Sequence, residues 1–153
     1  MRIPKFYFLN DNLLRLCLRG IFDTDGCICR HRKNDPMIEI DSYNPNLRDS
    51  IVESLKKLNF RVSYSGRKIY IYSRNNIIEF FQEVGSKNLR HLVKYEHWIK
   101  TNIMVKTNMI KHSNGEVFEK ILNGSNNKNW VMFNNPELFK IVEYQYYLKA
   151  SVV

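Results

Sequence analysis

An α+β fold is predicted by three features of this 153-residue chain. Apolar residues recur with helical spacing in separate stretches of the first hundred residues, and two pairs of short alternating stretches lie between them, which gives the order αββαββα. A formal net charge of +9 with 13% aromatic residues favours a folded nucleic-acid binder over a basic disordered tail. The segment Leu13 to Gly26, LLRLCLRGIFDTDG, ends an almost wholly apolar helix in two aspartates one residue apart.

The first helix is predicted to start at Asn10 or Asp11, either of which is a good N-cap. Leu13, Leu14, Leu16, Cys17, Leu18, Ile21 and Phe22 cover more than one stripe of its surface, so burial on two sides is expected. Leu16, Gly20 and Thr24 fall four apart on one side, and Leu14, Leu18 and Ile21 line another. One side then serves the domain's own core and the other a second copy of the same helix. Asp23 and Asp25 stand at the C-terminal end, where the macrodipole disfavours each carboxylate by about 0.3–1 kcal/mol. Charge set against the local field suggests a bound cation, and carboxylate oxygens are the hard ligands that Mg²⁺ takes. An EF-hand loop also contains D-x-D-G, but with these acids at its third and fifth places the first would be Ile21 and the twelfth Arg32. Neither side chain binds calcium. The plainer alternative is a helix end whose acids only cap a turn.

The first predicted strand runs from Cys27 to Lys33, Asn34-Asp35-Pro36 turns the chain, and Met37 to Tyr43 returns. Tyr43-Asn44-Pro45-Asn46 caps a second helix, Leu47 to Leu58, with Leu47, Ile51, Leu55 and Leu58 in phase. Phe60 to Ser65 and Lys68 to Tyr72 form a second hairpin around Ser65-Gly66-Arg67. If Val62, Ile69 and Ile71 face the helices, then Arg61, Ser63, Lys68, Tyr70 and Tyr72 share the opposite face with Glu39 and Asp41. With Ile28 in the core, Cys29, His31 and Lys33 join them, which leaves Arg30 and Arg32 on the back or at the edge. Arg74-Asn75-Asn76 caps a third helix, Ile77 to Val84, ended by Gly85.

Beyond it, Asn88 to about Lys106 reads as a long helix, Glu116 to Leu122 as a short one, and Asn135 caps a last helix beginning at Pro136. The expected organisation is a core over residues 1–106 and a C-terminal helical extension over 107–153 packed on it. No run of eighteen apolar residues occurs, so no membrane span is expected, and Met1-Arg2-Ile3-Pro4-Lys5-Phe6-Tyr7 lacks the apolar core of a signal peptide. Cys17, Cys27 and Cys29 are odd in number and, with His31, His91, His97 and His112 scattered, form no zinc framework. A reducing compartment is implied, the cytoplasm or an organelle.

The stretch Leu18-Arg19-Gly20-Ile21-Phe22-Asp23-Thr24-Asp25-Gly26 resembles the LAGLIDADG motif of homing endonucleases. It matches at the leucine, the first glycine, both aspartates and the last glycine. Arg19 and Thr24 replace alanines, and Arg19, too large for a close helix seam, must point away from it. The resemblance covers roughly residues 13–100, and the αββαββα order agrees with it. It implies a four-stranded antiparallel saddle sheet laid along the DNA major groove, with the helices on the back.

A single motif implies a homodimer, its two motif helices crossing through Leu16, Gly20 and Thr24, and a long pseudo-palindromic double-stranded DNA site. The implied activity is phosphodiester hydrolysis with Mg²⁺ or Mn²⁺. Asp25 maps onto the metal ligand, the Thr24 backbone carbonyl also approaches the metal, and Asp23 stabilises the helix end. Lys94 is the candidate for the basic residue that organises solvent around the nucleophile, and Asp41 and Ser42 lie where the family places a polar contact to the water network. The expected DNA-contacting residues are Cys29, His31, Lys33, Glu39, Asp41, Arg61, Ser63, Arg67, Lys68, Tyr70 and Tyr72, with Arg and Lys suited to guanine and the acids to cytosine amino groups. An RNA maturase or a non-cleaving DNA-binding protein on the same scaffold is the alternative.

Overall fold

Asn10, Gly26, Asn44, Gly66 and Gly85 set the turns between several elements of the computed structural model through capping, close approach or positive φ. The structure describes residues 1–32 and 35–104. A short 3-10 helix, Lys5–Leu9, leads into α1 (Asp11–Asp25), followed by β1 (Gly26–Arg32), β2 (Asp35–Asp41), α2 (Pro45–Lys57), β3 (Ser63–Ser65), β4 (Lys68–Ile71), α3 (Arg74–Glu83) and α4 (Leu89–Thr101). The chain divides into two compact units, Met1–His91 and Leu92–Val153. The helices expected over 116–122 and from Pro136, and the extension as a whole, lie outside the described residues.

Asn10 caps α1, its side-chain oxygen accepting from the Asn12 and Leu13 N–H groups at 2.9 and 3.2 Å. The inward row is Leu14, Leu18 and Phe22, all buried, so the third member is Phe22 and not Ile21 as the spacing suggested. Phe22 ties the first unit together: its ring lies 5.0 Å from Phe80, 5.8 Å from Phe81 and 4.4 Å from His91. A Cβ on Gly26 would stand 2.2 Å from that ring. Only glycine lets the helix pass straight into β1 over so large a core residue.

The four strands form one antiparallel sheet in the order β1-β2-β4-β3. The pairs Ile28↔Ile38, Ile38↔Ile71 and Ile40↔Ile69 align five fully buried isoleucines on one face. Helices α1, α2 and α3 pack there. Asn44 caps α2 by accepting from the Leu47 N–H at 3.1 Å, with Pro45 in the first turn, where a missing N–H costs nothing. Gly66 turns the β3–β4 hairpin at φ +58, and Gly85 ends α3 at φ +71 while its N–H reaches the Phe80 carbonyl at 2.9 Å.

Several boundaries differ from the sequence reading, α4 among them, which ends at Thr101, and three of the differences have a local reason. The ladder of β3 starts at Ser63 rather than Phe60, because Asn76 occupies the Arg61 backbone: its amide donates to the Arg61 carbonyl at 2.7 Å. Asn76 is therefore inside α3, which begins at Arg74, and not a cap before it. Strand β2 begins at Asp35, two residues early, because a β-bulge accommodates Pro36 and its missing N–H opposite Arg30.

In the second unit, α4 carries the buried residues Val93, Lys94, His97 and Trp98. Burial pushes the His97 imidazole below its usual range, which keeps it neutral at pH 7.

Candidate metal centre and nucleic-acid interface

Where α1 runs into β1, two carboxylates meet opposite fates. Asp23 is half-buried and fully engaged. The Ser86 hydroxyl donates to its Oδ1, the Lys87 N–H to its Oδ2 at 3.0 Å, and the Asn88 side-chain amide to its backbone carbonyl at 3.1 Å. These donors offset the unfavourable helix end and tie α1 to the segment that leads into α4. Asp25, two residues on, is exposed, and among the described residues its carboxylate has no hydrogen-bond donor or cation as a partner. It stands at the end of the sheet where Gly26 pairs with Ile40 and Asp41 with Lys68.

An exposed carboxylate beside an exposed Thr24 supplies the hard oxygen donors that Mg²⁺ or Mn²⁺ takes. Among the described residues no three His, Cys, Asp or Glu side chains come close enough to hold an ion. Thr24 directs its hydroxyl inward, donating to the Gly20 and Ile21 carbonyls at 3.2 and 3.1 Å.

Behind these acids, one long face of α1 is open. Leu13 is 40% exposed and Leu16 54%, Gly20 and Thr24 are exposed, and a Cβ added to Gly20 would meet nothing within 4 Å. Nothing among the described residues requires a glycine there. Cys17 flanks the face, and burial pushes its thiol above the usual range, so it stays uncharged. Arg19 points away from this face, donating to the Val84 carbonyl at 2.6 Å, while Arg15 lies 3.4 Å from Glu83. Both cations lie at the negative end of α3.

The second surface is the sheet face opposite the isoleucines. Rows Cys27–Glu39–Tyr70–Ser63, Cys29–Met37 and Asp41–Lys68–Ser65 run across it. Of the expected contact residues, Cys29, Glu39, Asp41, Ser63, Lys68 and Tyr70 lie on these rows, and His31 and Tyr72 meet beyond them, ring centroids 4.8 Å apart. Arg67 is in the hairpin turn, Arg61 is exposed on the segment before β3, and Lys33 lies outside the described residues. Lys94 belongs to the second unit and is buried, unlike a solvated helix lysine.

The acids of this face are already matched. Lys68 Nζ lies 2.8 Å from Glu39 Oε1, and Arg67 Nε lies 2.9 Å from Asp41 Oδ1, with its guanidinium over the Tyr43 ring at 4.0 Å. Two further residues belong to this face. Met37 alternates with Ile38 and Ile40 as the sequence pattern places it and faces outward opposite Cys29, though it was not among the expected contacts. The bulge after Arg30 pairs Arg32 with Asp35 and so brings Arg32 round to the outer face, close enough to act on the Tyr72 phenol. A proline inside an otherwise regular strand was the available signal.

The two acids should separate in stability. Asp23→Ala is expected to cost about 1–3 kcal/mol in urea unfolding, since it orphans the Lys87 N–H and the Ser86 hydroxyl. Asp25→Asn should leave stability unchanged or raise it by up to about 1 kcal/mol by removing charge from the helix end. A loss at Asp25 equal to that at Asp23 would contradict this division of roles.

Residues 12–85 match the family model of the LAGLIDADG-like domain. No curated protein and no solved structure matches the chain. Among the described residues no helix is long and apolar enough to cross a membrane. The motif at the end of α1, the helix–hairpin order and the single antiparallel sheet all fall within the matched segment, so residues 12–85 form a LAGLIDADG-like domain, a match that supports the LAGLIDADG homing endonuclease family.

Proposed function

We propose that the protein is a site-specific DNA endonuclease that acts as a homodimer on a long, pseudo-palindromic duplex. The observation that carries this reading is the open face of α1, Leu13, Leu16, Gly20 and Thr24, running down to Asp25, whose carboxylate has no partner among the described residues. An apolar face with a bare glycine at its centre suits the close approach of a second α1, and an isologous pairing brings the two Asp25 carboxylates to the dyad. Each chain then supplies half of the acidic oxygens.

Asp25 and the Thr24 carbonyl are the groups that would hold Mg²⁺ or Mn²⁺. Such an ion, when bound, polarises phosphoryl oxygens and lowers the pKa of the attacking water. Asp23 keeps the end of α1 fixed so that Asp25 is presented in one orientation. The outer sheet face binds DNA, with the basic excess of the chain supplying phosphate attraction. In this reading Glu39 and Asp41 hold Lys68 and Arg67 in place before DNA arrives. Lys94 is our candidate for the basic residue of the reaction. We assign a reducing compartment on the odd number of cysteines, three, two of them one residue apart.

Two experiments test this. Selection of cleaved duplexes from a random library with Mg²⁺ should yield a two-fold-related site. On it, Asp25→Asn should abolish cleavage and keep specific binding, and Lys94→Met should slow cleavage with binding kept. Unchanged cleavage removes the respective role, and specific binding without any cleavage by the natural chain favours a non-cleaving DNA-binding protein. Light scattering should give twice the 18.4 kDa of one chain. Gly20→Leu, which finds open space in a single chain, should yield a folded monomer without cleavage activity; a folded, active dimer would overturn the proposed seam.

A further inference from the structure

The outer face of the sheet is chemically divided along the strands. At the Asp25 end it is ionic, with Glu39 bound to Lys68 and Asp41 to Arg67. Moving away from Asp25 along β1, the ion pairs give way to apolar and aromatic side chains before Arg32 is reached. Cys29 stands opposite Met37 in the ladder. Tyr72 directly follows the last residue of β4, one step beyond the Ile38↔Ile71 pair on the Tyr70 side of the sheet, and Cys29 is close enough to act on its phenol. Tyr70 and Tyr72 are nearly parallel with centroids 5.8 Å apart, and His31 closes the corner against Tyr72. Burial pushes the Tyr72 phenol above its usual range, so the ring presents no anion. Met37, Cys29, Tyr70 and Tyr72 are each half-exposed, and Arg32 flanks them.

A polar duplex offers such a patch few partners. In the major groove, hydrogen-bond donors and acceptors line every base pair, and the one apolar group standing out from a base edge is the thymine C5 methyl. We propose that Met37 and Tyr72, with Cys29 beside Met37 on the edge strand β1, form a thymine-reading patch that gives each half-site a preference for A·T pairs away from the cut. This rests on the DNA-binding reading above. The strand rise of about 3.3 Å per residue nearly equals the rise of about 3.4 Å per base pair along one DNA strand. Cys29 and Met37 lie three residues out from Gly26, so the patch falls about three to five base pairs outward from the positions nearest Asp25. The ionic end reads the inner positions by hydrogen bonds, and Arg32 and His31 supply attraction to phosphates at the outer rim.

The test uses the full chain and duplexes selected for binding from a random library. The selected half-sites should be enriched in A·T pairs at the outer positions. Replacing those thymidines by deoxyuridine, which removes only the methyl, should weaken binding about fourfold per methyl and about fifteen-fold for one in each half-site. The same replacement at inner positions should leave affinity unchanged. Met37→Gln keeps the length of the side chain and removes its apolar end, and it should abolish the discrimination between thymidine and deoxyuridine while binding persists. Should that variant fail to fold, the replacement series with the natural chain decides by itself. Specific binding with equal affinity for thymidine and deoxyuridine at the outer positions overturns this inference and leaves the endonuclease reading standing. Absence of preference for any duplex overturns both.

Discussion

A helix C-terminus repels carboxylates, and this chain sets two of them there, separated by one residue. The first is neutralised within the fold: Asp23 draws a hydroxyl, a backbone N–H and, through its own carbonyl, an amide from the segment between Ser86 and Asn88. The second is left with no such partner among the described residues. Much else follows from keeping that end of α1 rigid. Phe22 must fill the core one turn back, Gly26 must lack a side chain to clear it, and Arg19 and Arg15 must pull the helix toward the end of α3. The outcome is a fixed platform with one carboxylate turned to solvent.

The two faces of α1 divide its work. Leu14, Leu18 and Phe22 satisfy the core, so the helix has no structural need of Leu13, Leu16 and Gly20 on its other side. Exposed leucines scattered singly are ordinary; a continuous row around a glycine, with an acid at its end, is not. The sheet shows the same economy. Its inner face is five isoleucines, and its outer face is graded from ion pairs near Asp25 to methionine, thiol and aromatic rings further out. In the proposed DNA complex, a gradient of that kind along the sheet would give different base positions different chemistry.

Much of this was legible in the sequence because period and punctuation agreed. Asn10, Asn44, Pro45, Gly66 and Gly85 each mark a boundary through a local rule, and the alternation of β2 and β4 fixed which residues share the outer face. What was not legible came from tertiary competition. Phe22 replaced Ile21 in the core because an aromatic ring could reach Phe80, Phe81 and His91 together. Asn76 left its capping place because the Arg61 backbone needed a partner. The β-bulge turned Arg32 outward against strict alternation. Asp23 and Asp25 are identical in type and two apart, and only the fold distinguishes the one held by Ser86 and Lys87 from the one left open.

The claim at the centre is that two copies of α1 meet along the open face above Asp25. Placing a photo-activatable phenylalanine at position 16 and mapping the cross-linked product by mass spectrometry tests it directly. The account predicts an inter-chain adduct joining position 16 to residues 13–24 of a second copy, formed at the protein concentrations that support cleavage. Adducts that map to another element, or a chain that cleaves its site without cross-linking at all, would contradict it.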